Sequence, residues 1–163
     1  MSIQRNDKII LDYEKLAEKV RNLKAEGKTI VFTNGCFDLI HVGHIRYLHG
    51  AAECADILIV ALNSDESIRT LKGSNRPIMP LEKRLEIVAA FECVDIVTSF
   101  DSKKCDELLL LLKPDVHAKG TDYTYENVPE RETVLGYGGR IAIVGDAKNH
   151  STSNILDELQ KNK

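Results

Sequence analysis

No two cysteines of this chain share a C-x-x-C spacing; Cys36, Cys54, Cys93 and Cys105 are scattered. A structural zinc site built from them is not expected, and reduced thiols are. No apolar run approaches the roughly 20 residues that a membrane-spanning helix needs. The opening "MSIQRNDKIILDYEKL" lacks the apolar core of a signal peptide, so a cytoplasmic address is expected. Nor is one sign of charge in excess: 22 Lys and Arg against 25 Asp and Glu give a net charge of −3. That balance argues against a nucleic-acid or membrane-surface partner. There is no internal repeat, low-complexity segment or linker. What remains is one domain of 163 residues, with 43% hydrophobic residues to build its core.

What is present is an alternation of two patterns. Thr29–Thr33, Ile57–Leu62, Val94–Ser99, Val116–Lys119 and Arg140–Val144 are short apolar runs suited to strands. Helical patterns lie between them at Gly43–Cys54, Pro80–Phe91, Lys103–Leu112 and Pro129–Tyr137, with a last one at Ser153–Lys161. Residues 1–27 form an N-terminal helical extension: Asp12 can cap a helix in which Leu16, Val20 and Leu23 recur at helical spacing, and Gly27 ends it. Residues 28–163 form the core. Strands that are apolar throughout, alternating with helices, predict a doubly wound α/β domain with a parallel sheet covered on both faces. The widest gaps, "NSDESIRTLKGSNRPIMP" and "GTDYTYENVPE", follow the second and fourth strands. Both lie at carboxyl ends of strands, where open α/β sheets bind ligands.

The stretch "TNGCFDLIHVGHIRYL" joins the first strand to a helix starting near Val42–His44. A helix start favours an anion, because its N–H groups and dipole point outward. His41 and His44 sit three residues apart, on about one face, and Gly43 lets a phosphate approach the backbone. Two imidazoles there could stabilise charge on a phosphorus undergoing displacement. Three other readings stand beside it. His41, His44 and His49 could ligate a metal, although no carboxylate completes a familiar pattern. Cys36 could be a nucleophile served by His41, although no acyl-transfer signature surrounds it. The stretch could also be a structural turn, which leaves the two histidines without a role.

"GCFDLIHVGHIRYL" looks like the signature of the HxGH nucleotidyltransferase superfamily. "LNSD", "LKG", "RPI", "KPDV", "KGTDY" and "STSNIL" follow in the superfamily's order. Among its members the chain most resembles heptose-1-phosphate adenylyltransferases, the adenylyl half of bifunctional ADP-heptose synthase. The resemblance implies a Rossmann-like, five-stranded parallel sheet of order 3-2-1-4-5. It implies His41, His44 and Lys72 as catalytic residues, the histidines contacting the phosphates and the lysine neutralising them. Cys36, Phe37, Arg84, Lys119, Gly120, Asp122, Ser151, Thr152 and Ser153 would border the nucleotide, and Arg76 and Asp122 the acceptor. Asp38 would brace the turn, His49 has no place in the pattern, and His117 reads as a core or edge residue. Arg84 also has a plainer reading, as a surface arginine paired with Glu82 or Glu86. Lys72 likewise reads as a solvated lysine in a loop, and "LKGSNRP" lacks the spacing of a Walker A loop.

The implied reaction joins AMP from ATP, bound with Mg²⁺, to D-glycero-β-D-manno-heptose 1-phosphate, with release of pyrophosphate. No protein metal site is expected. The chain holds no sugar kinase of its own, so a separate heptose kinase and a homodimer are the expected partners. The alternative is a cytidylyltransferase using CTP and glycerol 3-phosphate or a similar alcohol phosphate. Cytidylyltransferases of the superfamily carry an R-T-x-G-I ahead of the last motif; here "DAKNH" stands there, with Lys148 as the candidate replacement. A nucleotide-binding regulatory module and a cysteine-based redox or metal protein are the readings from other classes.

Overall fold

The computed structural model describes residues 7–147 and 151–161; Lys148 lies outside them. The strands are β1 (Ile30–Gly35), β2 (Ile57–Asn63), β3 (Ile96–Phe100), β4 (Val116–Gly120) and β5 (Arg140–Val144). The helices are α1 (Tyr13–Ala25), α2 (Val42–Ala52), α3 (Asp65–Lys72), α4 (Leu81–Ala89), α5 (Asp106–Leu112), α6 (Arg131–Gly136) and α7 (Thr152–Lys161). All five strands are parallel, in the order β3-β2-β1-β4-β5, which is the Rossmann-like order the resemblance implies. Among the described residues no helix is long and apolar enough to cross a membrane.

β2, "ILIVALN", is buried at every position but its first, as a central strand covered on both faces must be. Its side chains alternate between two cores. Ile59 and Ala61 join Phe32, Leu108 and Leu109 on the face carrying α1, α5 and α6. Leu58, Val60 and Leu62 join Leu48, Leu85 and Val88 on the face carrying α2 and α4. The N-terminal helix shares the first core through Leu16, Ala17 and Val20, and Ile9 bridges to Val97 at the sheet edge.

Three aspartates secure the amino ends of the strands. Asp56 accepts from Thr29 N at 2.8 Å, Asp95 from Leu58 N at 2.8 Å, and Asp115 from Ile30 N at 2.7 Å. Each stands just before a strand and satisfies a backbone donor where the neighbouring strand begins.

One helix escapes the apolar pattern. α3 falls inside the gap "NSDESIRTLKGSNRPIMP", which reads as a loop because of its Gly and Pro. Its signals are caps and charges instead. Ser64 Oγ accepts from Ser67 N, Asp65 and Glu66 occupy the first turn, and Arg69 and Lys72 the last.

Candidate active site

The strand order reverses between β1 and β4, and the two part early. They pair only at Val31↔Val116 and Phe32↔His117, whereas β1 pairs with β2 from Ile30 to Gly35. Beyond Phe32 side chains take over. The Thr33 hydroxyl bonds to Ala118 O at 3.0 Å, the Tyr47 hydroxyl reaches the same carbonyl at 3.1 Å, and the two hydroxyls also contact each other. The carboxyl end of this crevice is where a doubly wound sheet holds a ligand.

From β1 the chain turns tightly into α2. Phe37 adopts a positive φ of 48° and lays its ring over Gly35, where an added Cβ would lie 2.9 Å from Phe37 Cε2. The same ring packs on His44, 5.3 Å between centroids, and on Tyr47 at 6.4 Å. His41 is the N-cap of α2, and its Nδ1 accepts from Gly43 N at 3.2 Å. His44, at the third helical position, answers it: its Nδ1 accepts from His41 N at 3.3 Å. The H-x-G-H spacing is thus a reciprocal capping box made of two imidazoles. With Nδ1 of each ring accepting, the neutral tautomer carries its proton on Nε2. The rings lie 4.0 Å apart, and no acidic residue occupies the first turn to neutralise the helix dipole.

Two buried charges tie neighbouring loops to this turn. Asp38, 2% exposed, accepts from Ile78 N, Met79 N and Arg76 Nε at 2.8–3.0 Å. Burial pushes its carboxyl up, but those N–H donors and the Arg76 charge outweigh burial and hold it below the usual range. Arg84 is 0% exposed. Its Nη1 donates to Cys36 O at 2.7 Å and Asn63 O at 2.8 Å, Nη2 to Asp65 at 2.6 Å, and Nε to Met79 O at 3.0 Å. The surface pairing with Glu82 or Glu86 does not form, because the guanidinium points inward to Asp65. A fork saturated in this way holds the turn, β2 and the 76–80 segment together and has little left to offer a phosphate.

The other expected residues fall around the same turn. Lys119 Nζ donates to Asn34 Oδ1 at 3.3 Å and lies 4.7 Å from the centre of the Tyr123 ring. Gly120 leaves room for Asp122, whose Oδ1 would sit 3.0 Å from a Cβ there. Ser151 Oγ caps α7 by accepting from Asn154 N, and the Thr152 hydroxyl donates to Leu39 O at 3.1 Å. Ser153 follows in the first turn of α7. Lys72 is not in a loop; it ends α3, is exposed, and has no bond among the described residues. Arg76 gives its Nε to Asp38, while its Nη2 is buried without a partner among the described residues. Cys36 contributes its carbonyl to Arg84 and a long 3.8 Å contact from Sγ to Asn63.

Sequence reasoning missed Tyr47 and Asn34, whose contacts form only across the fold. Tyr47 alone left a trace, as an aromatic one turn after His44. As for a cation, Asp38 and Asp65 already face Arg76 and Arg84. A magnesium ion here would be carried by phosphate oxygens rather than by a carboxylate cage.

Residues 32–156 match the family model described as cytidylyltransferase-like. The chain is 45% identical over 155 residues to the bifunctional protein HldE of Geobacter sulfurreducens, covering 95% of this chain and 32% of that protein. It is 43% identical over 152 residues to the bifunctional protein HldE of Alcanivorax borkumensis, covering 93% and 32% respectively. The chain therefore spans about a third of the length of the curated relatives it matches. A lipopolysaccharide core biosynthesis protein from Thermoplasma volcanium, a solved structure, superposes with a TM-score of 0.66 at 25% identity, over 75% of this chain and all of that one. With fold, turn and matched residues in agreement, the chain belongs to the cytidylyltransferase-like family.

Proposed function

We propose that this chain transfers AMP from MgATP to a sugar 1-phosphate, D-glycero-β-D-manno-heptose 1-phosphate, giving ADP-heptose and pyrophosphate. An acceptor phosphate oxygen attacks the α-phosphorus in line. The new P–O bond forms as the bond to the bridging oxygen breaks, and pyrophosphate takes that electron pair. The acceptor is largely a dianion at neutral pH, since such phosphates lose their second proton near pH 6, so no general base is required. Catalysis is then positioning and charge stabilisation. The Nε2–H groups of His41 and His44 donate to the phosphate oxygens beside the start of α2. Ser151, Thr152 and Ser153 hold the β- and γ-phosphates at the start of α7. Lys72 neutralises the developing charge, and Lys119, Gly120 and Asp122 border nucleotide and acceptor. Cys36 and Phe37 line the nucleotide through their backbone, and Arg76, whose buried Nη2 has no partner among the described residues, is the candidate for the acceptor phosphate. Arg84 acts as a positioning residue.

The observation that carries this reading is the bond from the Thr152 hydroxyl to Leu39 O, 113 residues apart, which ties the start of α7 to the turn that leads into α2. The likeness to bifunctional HldE proteins supports the heptose reading over CTP and glycerol 3-phosphate. The sugar 1-phosphate comes from a kinase activity outside these 163 residues, and the use of ATP fits a cytoplasmic address. The test crosses ATP and CTP with heptose 1-phosphate and glycerol 3-phosphate in a pyrophosphate-release assay. Turnover with ATP and heptose 1-phosphate is expected; turnover with CTP alone overturns the assignment.

A further inference from the structure

Glu130 is the N-cap of α6, yet its carboxylate makes no cap bond. It turns inward and is 3% exposed. Its Oε2 lies 3.5 Å from Lys119 Nζ and 3.5 Å from His117 Nε2, and its Oε1 is 3.9 Å from Cys105 Sγ. His117 is wholly buried and stacked on Phe32. Burial pushes the Glu130 carboxyl up, but His117 and the Lys119 charge outweigh burial and hold it down at about 2. Burial, with the same lysine, lowers the readiness of the His117 imidazole to take a proton. The ion pair of the cluster is Glu130 with Lys119.

Cys105, His117 and Glu130 also have the chemistry of a metal site, with donor atoms within 4.8 Å of one another. The geometry favours the ion pair. An ammonium already stands beside Glu130, and among the described residues neither nitrogen of His117 has the outer hydrogen-bond partner that ligating imidazoles have. Burial, followed by the Glu130 charge, pushes the Cys105 thiol far up.

A lysine head sits on a flexible four-carbon stem, so its partners decide where it rests. Here they are Glu130 from behind, and Asn34 and Tyr123 toward the crevice. We propose that Glu130 is a positioning residue whose buried carboxylate fixes the Lys119 ammonium against Asn34, at the rim of the nucleotide site. The proposal deepens the functional reading above and rests on it.

A double-mutant cycle tests this. Glu130→Gln lowers kcat about tenfold, since small misplacements of a site group carry penalties of this order and more. Lys119→Met lowers it at least as far, and Lys119→Met/Glu130→Gln is no slower than Lys119→Met alone. Losses that multiply in the double variant overturn the proposal, because a purely structural Glu130 would act whether or not Lys119 is present. If Glu130→Gln does not fold, Glu130→Asp, which withdraws the charge by one methylene, takes its place with the same outcomes. Acylation of Lys119 by an amine-directed reagent, followed by peptide mass spectrometry, reads the positioning without turnover. It is several-fold faster in the Glu130 variant; equal rates overturn the inference. Absence of turnover in the unmodified protein with every substrate pair instead overturns the functional reading and leaves the acylation test standing. Stoichiometric zinc in the purified protein, lost in Cys105→Ser, makes the cluster a metal site and also overturns the inference.

Discussion

Replacing Arg84 by lysine separates a clamp from a ligand. The guanidinium is fully buried and makes four hydrogen bonds, to Met79 O, Cys36 O, Asn63 O and Asp65. A lysine head is a single nitrogen and can serve the two carbonyls that share Nη1, Cys36 O and Asn63 O. Met79 O then loses its donor, and Asp65, with its side chain 32% exposed, is left to water. An orphaned buried acceptor costs about 1–3 kcal/mol, and more where the lost bond was charge-assisted. Allowing for hydration of Asp65, Arg84→Lys loses about 2–4 kcal/mol. For a chain of this size, each kcal/mol moves Tm by about 2–4 °C, so Tm falls by about 5–15 °C. Arg84→Met leaves all four acceptors without a donor and falls further. The assay is a thermal melt followed by circular dichroism at pH 7.5, with KM for ATP measured below the transition. A phosphate ligand would give the opposite result: near-normal stability with a raised KM. A Tm within about 1 °C of the unmodified protein, or a methionine variant as stable as the lysine one, refutes the clamp.

The remaining expectations concern the histidines, Lys72 and acid. His41→Asn keeps a good N-cap, so its melt moves little, while pyrophosphate release drops about 100-fold or more because the Nε2–H donor is gone; unchanged turnover refutes the role of His41. Lys72→Ala, at an exposed helix end, stays within about 0.5 kcal/mol in urea titrations but loses turnover, and full activity refutes its part in neutralising phosphate. Acid destabilises the fold in two steps. His117 binds its proton less readily folded than unfolded, so stability is full above its ordinary value near 6.5 and declines as pH falls through it. Glu130, at about 2 against an ordinary 4.5, adds a decline as pH falls from 4.5 toward 2. Melts between pH 8 and 3 test this, and a His117→Gln variant that keeps the whole upper step refutes the assignment.

The strands were legible because burial on both faces leaves an unbroken apolar run, as in "ILIVALN". The turn at His41 was legible because capping is local and the anion-binding end of a helix has a sequence pattern. α3 was missed for a definable reason: its evidence is Ser64, two acids and two bases rather than apolar periodicity, and the following Gly73, Pro77 and Pro80 drew the reading toward a loop. Arg84 carries no local sign of its burial. Its acceptors come from positions 36, 63, 65 and 79, and only the folded chain brings them together. Glu130 starts a short helix, and nothing local marks it for an inward ion pair with Lys119, 11 residues away.

The matched charges bear on how the proposed triphosphate would be attracted. Sequence offers Lys72, Arg76, Arg84 and Lys119 for phosphate, yet three of these face buried or half-buried carboxylates, Asp38, Asp65 and Glu130. Their positive charge is largely balanced within the fold, so their first task is to hold the 76–80 segment, β2 and the end of β4 against the β1–α2 turn. Of the four, Lys72 alone is exposed and has no carboxylate partner among the described residues. On the proposed function, the attraction comes mainly from the dipoles at the starts of α2 and α7 and from the Nε2–H groups of the two imidazoles, since His41 N and Gly43 N are engaged in the capping box. A helix dipole is fixed by the backbone and adds no net charge. A protein with a net charge of −3 can therefore present an anion site without a basic surface.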